Sequence, residues 1–329
     1  MTFRGVVRFF AHIQLLPVLE NGEETTLVGG QAVMEGVMMR SPHSYCVAVR
    51  KPTGEIVTEE SPLLRLSDTY PIFKLPLFRG LGTLGHAMWL GMKALKFSAE
   101  CALDGATNAP GSGKKSESDS GAMALQILFS LTFMVVLYKL IPLYLATLLG
   151  RHFEPLGGRF AINMVDGSLR IGIFLGFMVL LSRLKDMRRV FEYHGAEHKV
   201  VFNFESGQPV TVENAQGFVT WHPRCGTSFL VVVLIIAMIC YAFLPIDNFW
   251  TKFAARVALL PVITGVSYEV IRLAAKRQSG LLAWLTRPGL WLQRVTTQQP
   301  SNGQTEVAIH ALEHAMQLEK AQGGELVIA

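Results

Sequence analysis

Residues 189–199, Arg-Val-Phe-Glu-Tyr-His-Gly-Ala-Glu-His-Lys, set two imidazoles four residues apart with a carboxylate beside the second. If this stretch is helical, His194 and His198 share one face and can converge on one cation. The order H-x-x-E-H is that of the inverted zincins. Neutral imidazole suits zinc or another divalent transition metal. Glu197 can then be a ligand, a group that orients one, or a general base acting on water beside the ion. A short way on, Trp221-His-Pro-Arg-Cys-Gly-Thr227 adds His222 and Cys225, spaced i, i+3 in a Pro/Gly turn that can aim an imidazole and a thiolate at one point. His194, His198, His222 and Cys225 together make a tetrahedral ligand set. Glu192 and Glu197 supply more donors than one ion needs, which leaves room for an open, catalytic coordination position.

Two plainer readings stand beside this one. The same groups could form a hydrogen-bonded polar layer capping helices at the edge of a bilayer, or Cys225 could be a nucleophile activated by His222 or His198. The crowd of further donors favours a ligand thiolate over a nucleophile. Glu35, among Gly29, Gly30 and Gly36, could complete the site from a second part of the chain, or could be a solvated loop glutamate with Met34, Met38 and Met39 as core. A second H-x-x-E-H, His310-Ala-Leu-Glu-His314, has no companion cysteine or glycine turn and reads as coincidence on a regular amphipathic helix.

The elements that must position these groups are largely apolar. With 50% hydrophobic and 17% charged residues over 329, the chain departs from ordinary soluble composition, and a membrane class follows. A net charge of +5 comes without a basic block interleaved with aromatics, so no nucleic-acid partner is expected. Cys46, Cys101, Cys225 and Cys240 show no disulfide-scaffold spacing and fit a reducing compartment.

The reading is of a membrane protein, mainly α-helical, with about four transmembrane helices, a small N-terminal cytosolic β unit and amphipathic interfacial helices. Residues 1–25 form an interfacial segment rather than a signal peptide. Residues 26–70 form the β unit, from an alternating run, a turn at Lys51-Pro-Thr-Gly54 and a second β-branched run. Residues 71–103 read as an amphipathic helix, or a pair broken near the glycines, and 104–120 as a flexible linker. The four-span bundle occupies 121–271, with spans at 121–149, 169–184, 227–244 and 252–271, and holds the metal-site loop 185–226. A basic cytosolic tail, 272–329, ends in an amphipathic helix. Lys185, Arg188, Arg189, Lys199 and Arg224 in the middle connection, against Arg151 and Arg159 in the first outer one, place both termini and the 185–226 loop in the cytoplasm of a cell with an inner membrane.

Gly29-Gly-Gln-Ala-Val-Met-Glu-Gly-Val-Met-Met-Arg40, Tyr193-His-Gly-Ala-Glu-His-Lys199 and His222-Pro-Arg-Cys-Gly-Thr-Ser228 resemble the signatures of the YqhQ-like bacterial membrane proteins, a family of unknown function described as predicted metal-dependent enzymes. The likeness runs from about Val28 to the C-terminal helix. It implies a place for Glu35 in the site and implies no substrate. Thr297-Gln-Gln-Pro300 lacks the acidic residues the family pattern leads one to expect before the last helix.

The expected function is that of an inner-membrane metal-dependent hydrolase with zinc at the cytoplasmic face, held by His194, His198, His222 and Cys225, with Glu197 and Glu35 as catalytic carboxylates. The alternative is a non-catalytic membrane scaffold or regulator whose closed metal site pins the β unit to the bundle. A transporter is disfavoured, because the expected spans offer Gln126, Lys139 and Arg256 without a paired ionisable residue at mid-depth. The expected partners are the lipid bilayer, an unidentified substrate and a possible second copy of the chain.

Overall fold

The computed structural model describes residues 28–63, 69–107, 120–222, 225–246, 248–276 and 281–322. The expected N-terminal interfacial segment, most of the expected linker, and Pro223 and Arg224 of the expected turn lie outside these residues.

Four strands, β1 (Gly29–Val33), β2 (Gly36–Arg40), β3 (Ser44–Arg50) and β4 (Ile56–Pro62), form an antiparallel meander in the order β1-β2-β3-β4. The β unit expected from the sequence is present, as two more strands than the single hairpin that its turn signal announced. A Met34–Glu35 turn joins β1 to β2, with Val33 opposite Gly36. Glu35 sits there at φ 52°, a left-handed conformation that costs a non-glycine residue about 1 kcal/mol or more. Its carbonyl is repaid with a hydrogen bond from the Arg50 amide, 2.8 Å.

Both faces of this sheet are covered, which is why β2 is buried along Gly36, Val37, Met38 and Met39 instead of alternating. One face (Val33, Met38, Tyr45, Val47, Val49) packs on helix α1 (Phe78–Thr107) through Leu90, Ala94 and Cys101. The other face (Val37, Met39, Cys46, Ala48) packs on two helices from much later in the chain. Helix α1 is one unbroken helix that extends past the expected boundary at 103. Its far side exposes Met88, Trp89, Met92 and Leu95.

The chain continues through α2 (Ser120–Val135), a π-helical turn (Val136–Leu140), α3 (Ile141–His152) and α4 (Arg159–Arg183). Next come α5 (Lys185–Glu205), the short α6 (Val212–Gln216), α7 (Gly226–Ala242), α8 (Phe249–Ala258), α9 (Leu260–Lys276), α10 (Leu281–Thr296) and α11 (Asn302–Ala321). Among the described residues, two helical stretches are long and apolar enough to cross a membrane, Leu128–His152 and Arg159–Arg183. A third crossing arises if α8 and the first part of α9, bent by 46°, count as one broken span. Helix α7 is apolar but runs for only 17 residues. The expectation of about four spans thus resolves into two to three candidates and one short apolar helix.

Helix α4 starts ten residues earlier than the span expected at 169–184, because its charges neutralise one another inside the bundle. Asp166 and Arg170, 0% and 2% exposed, pair one turn apart at 2.8 Å, and Arg256 of α8 reaches Asp166 at 3.0 Å and Asn163 at 2.6 Å. Pro142, which has no N–H, frees the carbonyl of Tyr138 four residues before it, and Arg170 Nε donates to that oxygen at 2.9 Å. The Arg170 and Arg256 guanidinium groups lie 5.3 and 5.0 Å from the ring centre of Tyr241 on α7. This cluster joins α4, α7 and α8 at the point where α8 bends into α9.

The C-terminal helix is an integral layer of the core, where the sequence suggested the end of a basic tail. Ser301 and Gln304 form a capping box that starts α11. Val307, Ala308, Ala311, Leu312 and Ala315 then fill the space between the sheet and Tyr193, Ala196 and Val200 of α5. Glu319 anchors the far end, accepting from the Ser41 hydroxyl at 2.7 Å and the His43 amide at 2.8 Å.

Candidate metal centre

Half of the metal-site loop expected at 185–226 is helix α5, which opens with Asp186 in its first turn, where the helix dipole favours an acid. His194 and His198 lie one turn apart with ring centres 4.5 Å from each other. A backbone carbonyl aims each ring. His194 Nδ1 donates to the Thr296 carbonyl at 2.8 Å, and His198 Nδ1 donates to the Thr220 carbonyl. An acceptor at Nδ1 fixes the tautomer and leaves both Nε2 atoms as lone-pair donors on the same side. Cys225 is the N-cap of α7, where its Sγ accepts from the Thr227 amide, and it stands 3.2 Å from His194 Nε2. The ligand atoms of His194, His198 and Cys225 all lie within 4.8 Å of one another. Bonds of about 2.0–2.3 Å around a tetrahedral zinc set ligands roughly 3.3–3.8 Å apart, so the donor set fits the ion after a small inward swing.

Glycines make these approaches possible. A Cβ on Gly195 would meet the Gln298 carbonyl oxygen at 2.0 Å, so the backbone carrying Thr296 could not lie against α5. A Cβ on Gly30 would meet Met38 O at 2.5 Å and Glu197 Cγ at 2.8 Å, so β1 could not lie over Glu197. A Cβ on Gly289 would meet Ser228 Cα at 2.6 Å, and without it α10 lies close enough to α7 for Gln293 to reach the turn. Gln293, wholly buried, accepts from the His222 amide at 2.7 Å and donates to the His222 carbonyl at 2.8 Å and Ser228 Oγ at 2.9 Å. Lys199, 2% exposed, holds the approach to that turn by donating to the carbonyls of Gln216 and Phe218 at 2.8 and 2.6 Å.

Glu197 is 6% exposed, with a carboxylate oxygen 3.4 Å from His198 Nε2. His222 stands farther back. Its ring centre is 5.6 Å from that of His198 and 4.5 Å from Phe202, and Nε2 lies 3.5 Å from a Glu205 carboxylate oxygen. Burial pushes the His222 pKa down, partly opposed by the charge of Glu197, so its ring stays neutral. The three-donor group therefore consists of His194, His198 and Cys225, with Glu197 and His222 in the wall beside it. All five line one cavity of about 530 Å³ between β1, β2, α1, α5, α7 and α9.

Glu35 is placed elsewhere. Both of its carboxylate oxygens accept from the Arg189 guanidinium, the Tyr193 hydroxyl donates to one of them at 3.3 Å, and Glu35 does not line the cavity. Burial and the Glu35 charge push the Tyr193 phenol pKa up, which keeps it a donor. Residues 189 and 193 share a stripe of α5 turned away from that of 194 and 198, so a group engaged with the first pair does not reach the second. Glu192 is likewise engaged, accepting from Gln304 Nε2 at 2.9 Å. His314 of the second H-x-x-E-H pairs with Glu60 at 3.2 Å on the surface of the sheet, apart from the cavity.

Sequence reasoning missed Gln293 and the Thr220 and Thr296 carbonyls. A lone glutamine in the apolar run Leu290-Trp-Leu-Gln293 was a readable sign, whereas a carbonyl that orients a ring leaves no mark on residue type.

Residues 75–318 match the family model described as a protein of unknown function, DUF1385. The chain is 36% identical over 297 residues to the uncharacterized protein YqhQ of Bacillus subtilis (strain 168), covering 88% of this chain and 92% of that protein. No solved structure matches it. The family match begins after the sheet and spans the bundle, the histidine helix and most of α11, and with an identity that covers 88% of the chain it shows that the chain belongs to the DUF1385 family together with YqhQ.

Proposed function

We propose that this protein is a membrane-embedded, metal-dependent hydrolase whose zinc site lies at the cytoplasmic face of an inner membrane, with both termini on that side. The observation that carries the reading is the pair of imidazoles on α5, each fixed at Nδ1 by a backbone carbonyl with Nε2 turned toward a helix-capping thiol. Histidines oriented through one nitrogen for coordination through the other are the usual support of a metal ligand set. Three protein donors with a cavity on the open side suit a catalytic site, which keeps one position for water or substrate.

A bound divalent ion would supply Lewis acidity, polarising a carbonyl or phosphoryl oxygen or acidifying a water. The chain supplies the remainder. Glu197, buried beside His198, is placed to take a proton from water and return it to a leaving group. His222, kept neutral, can hydrogen-bond to substrate from the wall. Ion pairing of Glu35 with Arg189 leaves it to fix the β1–β2 turn against α5, so Glu197 is the only catalytic carboxylate in this reading.

Membrane placement rests on the two long apolar helices, the bent third and the apolar α7, with Lys185, Arg188 and Arg189 at the end of α4 nearest the site. The experiment is metal analysis by mass spectrometry of the purified full chain beside a His194→Ala/His198→Ala variant, together with complementation by Glu197→Gln. About one zinc per chain, lost in the double variant, and a Glu197→Gln protein that keeps its zinc but fails to complement are the expected results. Substoichiometric metal in both proteins refutes the zinc site. Full complementation by Glu197→Gln instead favours a scaffold with a structural metal.

A further inference from the structure

The cavity that holds the donor cluster carries a second polar centre. Arg40, the last residue of β2, lines it from the sheet side, with Tyr268 of α9 and Thr83 of α1. Among the described residues no carboxylate pairs with Arg40. The carboxylate next to Tyr268 on α9, Glu269, is taken by Arg79, which donates to it from Nε at 2.6 Å. Burial lowers the Arg40 pKa, an effect the neighbouring Tyr268 partly opposes, and burial together with Arg40 lowers that of His86 nearby. The guanidinium is thus a desolvated charge beside a neutral histidine, in a cavity whose other ionisable wall is Glu197, the histidines and Cys225.

Beside these polar groups much of the wall is apolar, made by Leu84, Ala87, Val190, Phe191, Phe229 and Leu230. Leu230 is also 45% exposed on α7, the apolar helix that begins at Cys225. The cavity wall is thus continuous with an exposed apolar helix face of the kind that suits lipid tails. Tyr268 is held against α1 by close packing: a Cβ on Gly80 would meet Tyr268 Cβ at 2.6 Å, and one on Gly265 would meet Leu77 Cα at 2.9 Å.

We infer that the cavity takes an anionic amphiphile from the bilayer, its phosphate or carboxylate bound by Arg40 and its hydrocarbon chain leaving between α1 and α7, with the bond to be cleaved brought to Glu197 and the donor cluster. The inference rests on the hydrolase reading for the role of the cluster, but not for Arg40. A guanidinium offers a planar pair of N–H donors that match a phosphate or carboxylate. A partly desolvated cation without a counter-charge gains most from a ligand that supplies one. A soluble anion would gain nothing from the apolar wall, and a neutral lipid would leave Arg40 unpaired.

The test uses the delipidated full chain in detergent, titrated with phosphatidylglycerol, phosphatidylcholine or glycerol phosphate. Bound lipid is read by native mass spectrometry and zinc is measured on the same samples. Phosphatidylglycerol should be retained over both other probes. Arg40→Gln should weaken its retention about 30-fold or more, the cost of leaving one member of a desolvated charge pair alone, with zinc content unchanged. Ala87→Trp, which fills the cavity and leaves every charge in place, should also abolish retention and covers the case in which Arg40→Gln does not fold. Equal binding of phosphatidylglycerol and phosphatidylcholine, equal binding of glycerol phosphate, or retention unchanged in Ala87→Trp would overturn the inference. Missing zinc with selective lipid retention would strike the hydrolase reading and leave this one standing.

Discussion

Replacing Gly195 by alanine sets two effects of opposite sign against each other. In the middle of a helix, glycine is about 1 kcal/mol worse than alanine, so propensity alone predicts that Gly195→Ala stabilises α5. The structure predicts the reverse. The new Cβ would sit 2.0 Å from the Gln298 carbonyl oxygen and 3.2 Å from its carbon, and the obstacle is backbone, which cannot rotate away. Relief requires the 297–299 segment to lift from α5. That movement breaks the 2.9 Å bond from the Gln298 amide to the Phe191 carbonyl and draws the Thr296 carbonyl from His194 Nδ1. Overpacking of this kind costs about 1–3 kcal/mol, and each lost hydrogen bond about 1 kcal/mol. Against a propensity gain of about 1 kcal/mol, the net is a destabilisation of roughly 2–4 kcal/mol. Zinc affinity should fall about 10- to 100-fold as His194 loses its orienting partner. Thermal unfolding of the purified chain, with a competitive chelator titration for affinity, reads both quantities. Gly176→Ala in α4 is the control, since nothing lies within 4 Å of its would-be Cβ, and it should be neutral or slightly stabilising. A Gly195→Ala protein as stable as Gly176→Ala, with wild-type zinc affinity, would refute the packing argument.

Three further outcomes can be checked in the same preparations. Glu35→Gln should leave zinc content unchanged and lower stability by less than about 1 kcal/mol, because the Arg189 and Glu35 side chains are 56% and 37% exposed and solvent screens the pair; loss of zinc would return Glu35 to the site. Cys225→Ser keeps a good N-cap on α7 but removes the thiolate, so helix content by circular dichroism should hold while zinc retention drops at least tenfold. Burial opposes ionisation of Glu319, but hydrogen bonds from Ser41 and His43 outweigh it and hold its pKa below the usual 4.5. A carboxylate depressed in the folded state stabilises fully above its unfolded pKa and loses that contribution as pH falls through the folded value. Unfolding midpoints should therefore decline below about pH 4.5, and Glu319→Gln should flatten that part of the profile while lowering stability at neutral pH.

The placing of the two histidines was readable because spacing on a helix is fixed: residues 194 and 198 had to share a face. The covered sheet was half readable, since turn residues and β-branched runs mark strands but do not say what lies above them. Helix α11 was found by its periodicity, but its burial could not be, because an amphipathic stripe reads alike whether it meets lipid, water or a sheet. Glu35 was misplaced for a related reason. Arg189 lies 154 residues away in sequence, and no local signal distinguishes a carboxylate that closes a turn from one that faces a metal. The early start of α4 was hidden because Asp166 and Arg170 look like the end of a span until their mutual neutralisation is seen.

The layer that α11 forms has a consequence for synthesis. About 240 residues separate β4 from α11, and at ~5–20 residues per second a ribosome takes roughly 12–50 s to add them. Through that interval Val37, Met39, Cys46 and Ala48 have emerged without the helix that covers them, while the apolar helices in between are already made. The Thr296 carbonyl that aims His194 also follows that histidine by about 100 residues. A chain that stops before Thr296 therefore carries both histidines and the Thr220 carbonyl that aims His198, but lacks the carbonyl that aims His194.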